Sequence, residues 1–114
     1  MKVVVFGASG RTGREIVKQA LAQQHEVTAF VRNPAEFDLQ HERLKVIKGD
    51  ITNYKEVENA ISGQDAVMSA LGPHTLLKRI PALTTGLRNI VQAMEKNGVL
   101  GPIQHLDQFT QLGT

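Results

Sequence analysis

Lys2-Val-Val-Val-Phe6, followed at once by Gly7-Ala-Ser-Gly-Arg-Thr-Gly13, decides the architecture of this chain. The first five residues form a continuous β-branched and aromatic run, the pattern of a parallel strand buried on both faces. The run stops at Gly7. Beyond the glycines, Ile16, Val17, Ala20 and Leu21 recur at helical spacing, which predicts a helix from Thr12 to about Gln23. Glycine therefore recurs every third residue, at positions 7, 10 and 13, between a strand and a helix.

The same alternation continues outward. Glu26 to Val31 reads as a second strand, ended by Asn33-Pro34, and Leu44 to Lys48 as a third, ended by Gly49-Asp50. Asn53 to Ile61 reads as a short helix capped by Thr52 or Asn53, with Val57, Ala60 and Ile61 on one side. Ala66 to Ala70 is a fourth strand, closed by Gly72-Pro73. A longer helix is predicted from about Pro81 to Lys96, with Leu83, Leu87, Ile90, Val91 and Met94 as its apolar stripe and Gly98 as its stop. Strands alternating with helices imply right-handed crossovers and an α/β, doubly wound parallel sheet, with strand order 3-2-1-4. Residues 99–114 depart from this pattern: Gly101-Pro102 interrupts any strand, and the polar remainder reads as an irregular tail. The domain is accordingly placed at residues 1–98.

Composition narrows the function classes. The chain has 114 residues, enough for one core, with 41% hydrophobic and 21% charged residues. A net charge of +2, with no run of Lys and Arg, argues against a nucleic-acid partner. Cysteine is absent, which removes disulfides and thiolate chemistry, and His25, His41, His74 and His105 lack metal-ligand spacing. No run approaches the ~20 apolar residues of a membrane span. No leader is evident, and a cytoplasmic location is the default expectation.

The glycine spacing points to a dinucleotide. Gly7 suits a tight turn out of the strand, Gly10 allows a pyrophosphate to approach the backbone, and Gly13 allows close packing of helix on sheet. The helix N-terminus adds unpaired N–H groups and a partial charge of about +0.5. Ser9, Arg11 and Thr12 complete the loop. A phosphate loop of the other common type would need Gly at 12 and Lys at 13, and the chain has Thr12 and Gly13. Arg32 stands at the end of the second strand, where an acidic residue would bind both ribose hydroxyls. A guanidinium there favours a 2′-phosphate, so NADP(H) is the expected cofactor; the alternative is a solvated strand-end arginine. Asp50 is suited to accept from the adenine amino group, with Ile51 covering the ring; equally, Asp50 can cap the turn into the next helix. Ala70, Leu71 and Gly72 end the fourth strand at the ligand-binding edge, where small residues let a ribose or nicotinamide pass.

Catalytic candidates are few. Tyr54 is followed four positions on by Glu58 instead of lysine, so the Tyr-x-x-x-Lys acid pair of many reductases is missing. Ser69 reads as a packed small residue. His74 is placed in the loop nearest the nicotinamide.

Together, Gly7 to Gly13, Phe30-Val31-Arg32-Asn33-Pro34, Gly49-Asp50 and Ser69-Ala70-Leu71-Gly72 resemble the atypical short-chain dehydrogenase/reductase superfamily, in its NmrA-like and flavin/biliverdin-reductase-like branch. The resemblance covers residues 1–98 and implies a Rossmann sheet. It places the diphosphate on Gly7, Gly10, Arg11, Thr12 and Gly13 and the 2′-phosphate on Arg32. Adenine falls to Asp50 and Ile51, and the ribose–nicotinamide strap to Ala70, Leu71 and Gly72. It implies either an NADPH-dependent reductase acting on a small conjugated or flavin-like acceptor, or a non-catalytic dinucleotide sensor. Such proteins are roughly twice as long and continue into a fifth strand ending in Ser and a substrate-binding half, so the chain reads as truncated after Gly98. An open fourth-strand edge with an uncovered apolar face is expected to be closed by a second copy, as a homodimer, in preference to docking of Val99 to Ile103.

Overall fold

The computed structural model describes residues 1–70 and 73–99, with the backbone alone over 73–83. Four strands, β1 (Lys2–Phe6), β2 (Glu26–Val31), β3 (Leu44–Lys48) and β4 (Ala66–Ser69), form one parallel sheet in the order β3-β2-β1-β4. Helix α1 (Arg11–Ala22) connects β1 to β2, α2 (Tyr54–Ile61) connects β3 to β4, and α3 (Pro73–Asn97) follows β4. This is a Rossmann-type doubly wound sheet, as the alternation of elements predicts.

Both faces of β1 are buried, which is why its run of valines shows no alternation. Val3 and Val5 pack toward α1, through Ile16, Val17, Ala20 and Leu21. Val4 and Phe6 pack toward α2 and α3, through Val57, Ala60, Ile61, Ile90, Ala93 and Met94. The β2–β3 connection contributes only a short 3-10 turn, Pro34–Glu36, after which Phe37 is buried in the α1-side core.

Three readings of the sequence are corrected here. Helix α3 starts at Pro73, not near Pro81. Proline at the first helical position loses nothing, because that N–H has no helical partner anyway. His74 therefore sits in the first turn of α3 rather than in a loop. Among the described side chains the buried face of α3 is Gly86, Asn89, Ile90, Ala93 and Met94, whereas Val91 is 41% exposed; Leu83 of the expected stripe lies outside them. An apolar stripe counted from side-chain type alone cannot register that an asparagine belongs inside. Finally, the faces of β4 are not open: Val67 lies in the α2/α3 core, and Ala66 and Met68 lie in the α1 core. The expected tail falls almost wholly outside the described residues.

Helices α1 and α3 end in the same way. At α3, Gly98 N donates to Glu95 O and Val99 N to Met94 O, with Gly98 at φ +68°. At α1, Gln24 N donates to Leu21 O and His25 N to Ala20 O, with Gln24 at φ +69°. Both are Schellman ends, which favour glycine at the left-handed position. Gln24→Gly is expected to raise unfolding stability by about 0.5–1 kcal/mol, since relief of the Cβ clash exceeds the added chain entropy. Urea denaturation measures it, and an unchanged or lower midpoint contradicts the reading.

Candidate dinucleotide site

A row of paired residues, Ile47, Phe30, Phe6 and Ser69, crosses the sheet near its carboxyl edge. Just beyond that row, Gly49 N donates to Val31 O and Ala70 N to Phe6 O, both at 2.9 Å. The ladder thus brings Gly7, Arg32, Asp50 and Ala70 to one edge, where open parallel sheets bind ligands. Leu71 and Gly72 lie outside the described residues.

The glycine loop has the form a diphosphate needs. Gly7 turns at φ +75°, and Gly10 N donates to Gly7 O at 3.3 Å. A Cβ on Gly13 would lie 1.9 Å from Gly7 O and 2.6 Å from Ala8 Cα, so this glycine lets α1 rest on the turn. Among the described residues, a Cβ on Gly10 would meet only Gly7 O, at 3.7 Å, and would otherwise point into open space. Gly10 is the N-cap of α1 and has no side chain to cap it; the first ladder bond is Arg14 N to Gly10 O at 2.9 Å. The N–H groups of Arg11, Thr12 and Gly13 precede that bond and have no partner within the helix. An open space beside uncapped donors fits a diphosphate. Ser9, Arg11 and Thr12 are exposed beside it, with Arg11 as the first residue of the helix rather than part of the loop.

Arg32 is exposed at the end of β2 and forms no ion pair among the described residues. Arg14, by contrast, is ion-paired to Asp38, and its guanidinium holds the Asp38 carboxyl below its ordinary range. Asp50 follows Gly49, one strand over from Arg32. Its Oδ1 accepts from Thr52 N at 2.9 Å and from Thr52 Oγ1 at 2.7 Å. Those two bonds keep the Asp50 carboxyl below its ordinary value against the smaller opposing effect of burial, and the charge of Arg32 adds the least, in the same direction as the bonds. Asp50 therefore does shape the turn into α2, while Oδ2 has no partner among the described residues. The cap of α2 itself is Asn53, which accepts from Glu56 N at 3.2 Å.

Because the folded carboxyl of Asp50 is depressed, its stabilisation is present above the ordinary value of 3.8 and is lost as pH falls through the lower folded value. Asp50→Asn is thus expected to be more destabilising at pH 7 than at pH 2.5. Chemical denaturation at the two pH values reads this, and a penalty of equal size at both refutes it.

Two glycines in the site serve packing rather than ligand. A Cβ on Gly49 would lie 2.4 Å from Phe30 Cζ, and Phe30 in turn packs against Phe6 with ring centroids 4.9 Å apart and planes tilted by 52°. A Cβ on Gly86 would lie 2.3 Å from Ile51 Cδ1. Ile51 is half-buried against α3, which leaves only part of its side chain for a base. Asn89, which the pattern of apolar residues gives no reason to select, donates to Ile51 O at 2.9 Å. Its one signal is a polar residue within an otherwise apolar helix face.

Ser69 is buried in the β1–β4 row, as a packed small residue. Glu58, standing where a catalytic pair would need lysine, is ion-paired to Lys96 at 2.9 Å. Among the described residues no group of acidic or histidine side chains is arranged to hold a metal, and no helix is long and apolar enough to cross a membrane.

A family model described as NAD(P)H-binding matches residues 7–103. The chain belongs to this NAD(P)H-binding family. It carries a domain for a nicotinamide dinucleotide, and the glycine loop lies inside the matched span. It is 31% identical over 109 residues to a 3-beta-hydroxysteroid dehydrogenase of Mycolicibacterium neoaurum, covering 86% of this chain and 30% of that one. It is 31% identical over 107 residues to the photosystem II assembly factor Ycf39 of Synechocystis, covering 87% of this chain and 31% of that one. A Rossmann-fold NAD(P)-binding family protein from Shigella flexneri superimposes with a TM-score of 0.72 at 26% identity, over 86% of this chain and 47% of the other. The chain thus spans about a third of the length of these curated relatives and under half of that structure.

Proposed function

We propose that the domain, residues 1–98, binds NADP(H) in preference to NAD(H), as the cofactor half of a soluble, cytoplasmic NADPH-dependent reductase. The diphosphate lies over Gly7, Ser9, Gly10, Arg11, Thr12 and Gly13, with the 2′-phosphate at Arg32. Adenine lies against Asp50 and Ile51, and the ribose–nicotinamide half passes Ala70, Leu71 and Gly72. The observation that carries the cofactor choice is Arg32: an exposed guanidinium on the ligand edge, without an ion pair among the described residues, in the position where an acidic group would select NAD(H). When bound, the nicotinamide supplies a hydride to a small conjugated carbonyl or flavin-like acceptor. The protein holds the cofactor and orients that acceptor.

A second reading is a dinucleotide-binding module without turnover. It is favoured by Glu58, which occupies the lysine position of the Tyr-x-x-x-Lys pair and is tied to Lys96, and by the burial of Ser69. Steady-state oxidation of NADPH with flavin, quinone and biliverdin acceptors separates the two. Turnover in the ordinary range of ~1–10³ s⁻¹ establishes the enzyme. Tight NADPH binding with no turnover favours the second reading.

Pairing of two copies across the edge of β4 belongs to the same proposal and rests on the edge position of that strand among the described residues. Light scattering at micromolar concentration tests it, and a monomer at every concentration removes it.

A further inference from the structure

Asn89 is 8% exposed, and its amide is committed to the backbone of Ile51 across the α3 interface. One turn earlier, a Cβ on Gly86 would lie 2.3, 2.6 and 2.9 Å from Cδ1, Cγ1 and Cβ of Ile51. Residues three apart share a helix face, so α3 grips one residue twice, by its carbonyl and by its side chain. Neither choice is what a helix interior prefers: glycine weakens it, and a buried amide is desolvated. Both fall on the same face against the same residue. That residue follows Asp50, whose N–H donates to Glu56 Oε1 at 3.1 Å and whose Oδ1 is held by Thr52. The loop is therefore pinned by α2 at Asp50 and by α3 at Ile51, leaving Asp50 Oδ2 as an acceptor without a partner among the described residues.

We propose that Gly86 and Asn89 are positioning residues for base recognition, holding Ile51 and Asp50 where Asp50 Oδ2 accepts from the amino group of a purine. This rests on the assignment of Asp50 to adenine made above. A Cβ at 86 drives Ile51 and its backbone toward the space the base needs. Removal of the Asn89 donor frees the Ile51 carbonyl to turn and carries Asp50 with it. An apolar face alone would be as well served by leucine at position 89.

Calorimetric titration with NADP⁺ and with its deamino analogue, which has a carbonyl in place of the adenine amino group, tests the proposal. One hydrogen bond to a carboxylate is expected to make the unmutated chain favour NADP⁺ about tenfold or more. Gly86→Ala and Asn89→Leu are each expected to reduce that preference to below about threefold while binding of the deamino analogue changes little. Asn89→Leu carries the test if Gly86→Ala does not fold. Folded variants that keep the full preference overturn the role of Gly86 and Asn89 and leave Asp50 in place. No preference in the unmutated chain overturns the assignment of Asp50 itself, and the positioning role with it.

Discussion

Gly10→Val is expected to abolish dinucleotide binding and leave the fold standing. Among the described residues a Cβ at position 10 has Gly7 O, at 3.7 Å, as its one near neighbour, so none of them resists a side chain there. It instead occupies the volume beside the N–H groups of Arg11 and Thr12 that a diphosphate uses. Losing two hydrogen bonds to a charged group, at about 1.5–3 kcal/mol each, lowers affinity at least about a hundredfold. Gly13→Val is the contrasting case. Its Cβ would lie 1.9 Å from a backbone oxygen of the turn, and neither α1 nor β1 can move without opening the α1-side core. That variant is expected to lose about 3 kcal/mol or more of stability, from a total of roughly 5–15 kcal/mol for a domain. Circular dichroism melts together with NADPH titration read both. A folded Gly10→Val protein that binds like the parent places the cofactor elsewhere.

Arg32→Asp is expected to reverse the choice between the two dinucleotides. On the proposed reading, the guanidinium of the unmutated chain adds one charge-assisted bond to the 2′-phosphate, and NADP(H) is expected to bind more than about tenfold tighter than NAD(H). The aspartate removes that bond, repels the phosphate, and offers an acceptor to the ribose hydroxyls. Affinity for NADP(H) is expected to fall about a hundredfold or more, while that for NAD(H) holds or rises. The variant should fold normally, because Arg32 is exposed and forms no ion pair among the described residues. Equal affinities of the unmutated chain for both cofactors, measured by calorimetry, refute the argument from Arg32.

Much of this molecule was legible without coordinates. The β-branched run before Gly7, the three-residue spacing of the glycines and the alternation of strand and helix periods determine a doubly wound sheet. They do so because each is a local property: a strand buried on both faces must be continuously apolar, and a turn that admits a phosphate must lack Cβ atoms at set positions. The four strands are where those patterns place them, to within a residue at β4. The ordering of Arg32, Gly7 and Ala70 along one edge then follows from parallel connectivity.

What tertiary structure alone decided lies where residues distant in sequence meet. Gly49 is glycine because a phenyl ring from β2 lies under it, and Gly86 because the side chain of Ile51 does. Asn89 faces inward because a loop carbonyl needs a donor there, while apolar Val91 faces out. The faces of β4 are covered, although the strand lies at an edge, because α2, α3 and the α1-side core all reach it. None of these leaves a periodic trace. Periodicity reports which face of an element is buried on average, whereas close approach and the pairing of one buried polar atom depend on what the opposing element presents.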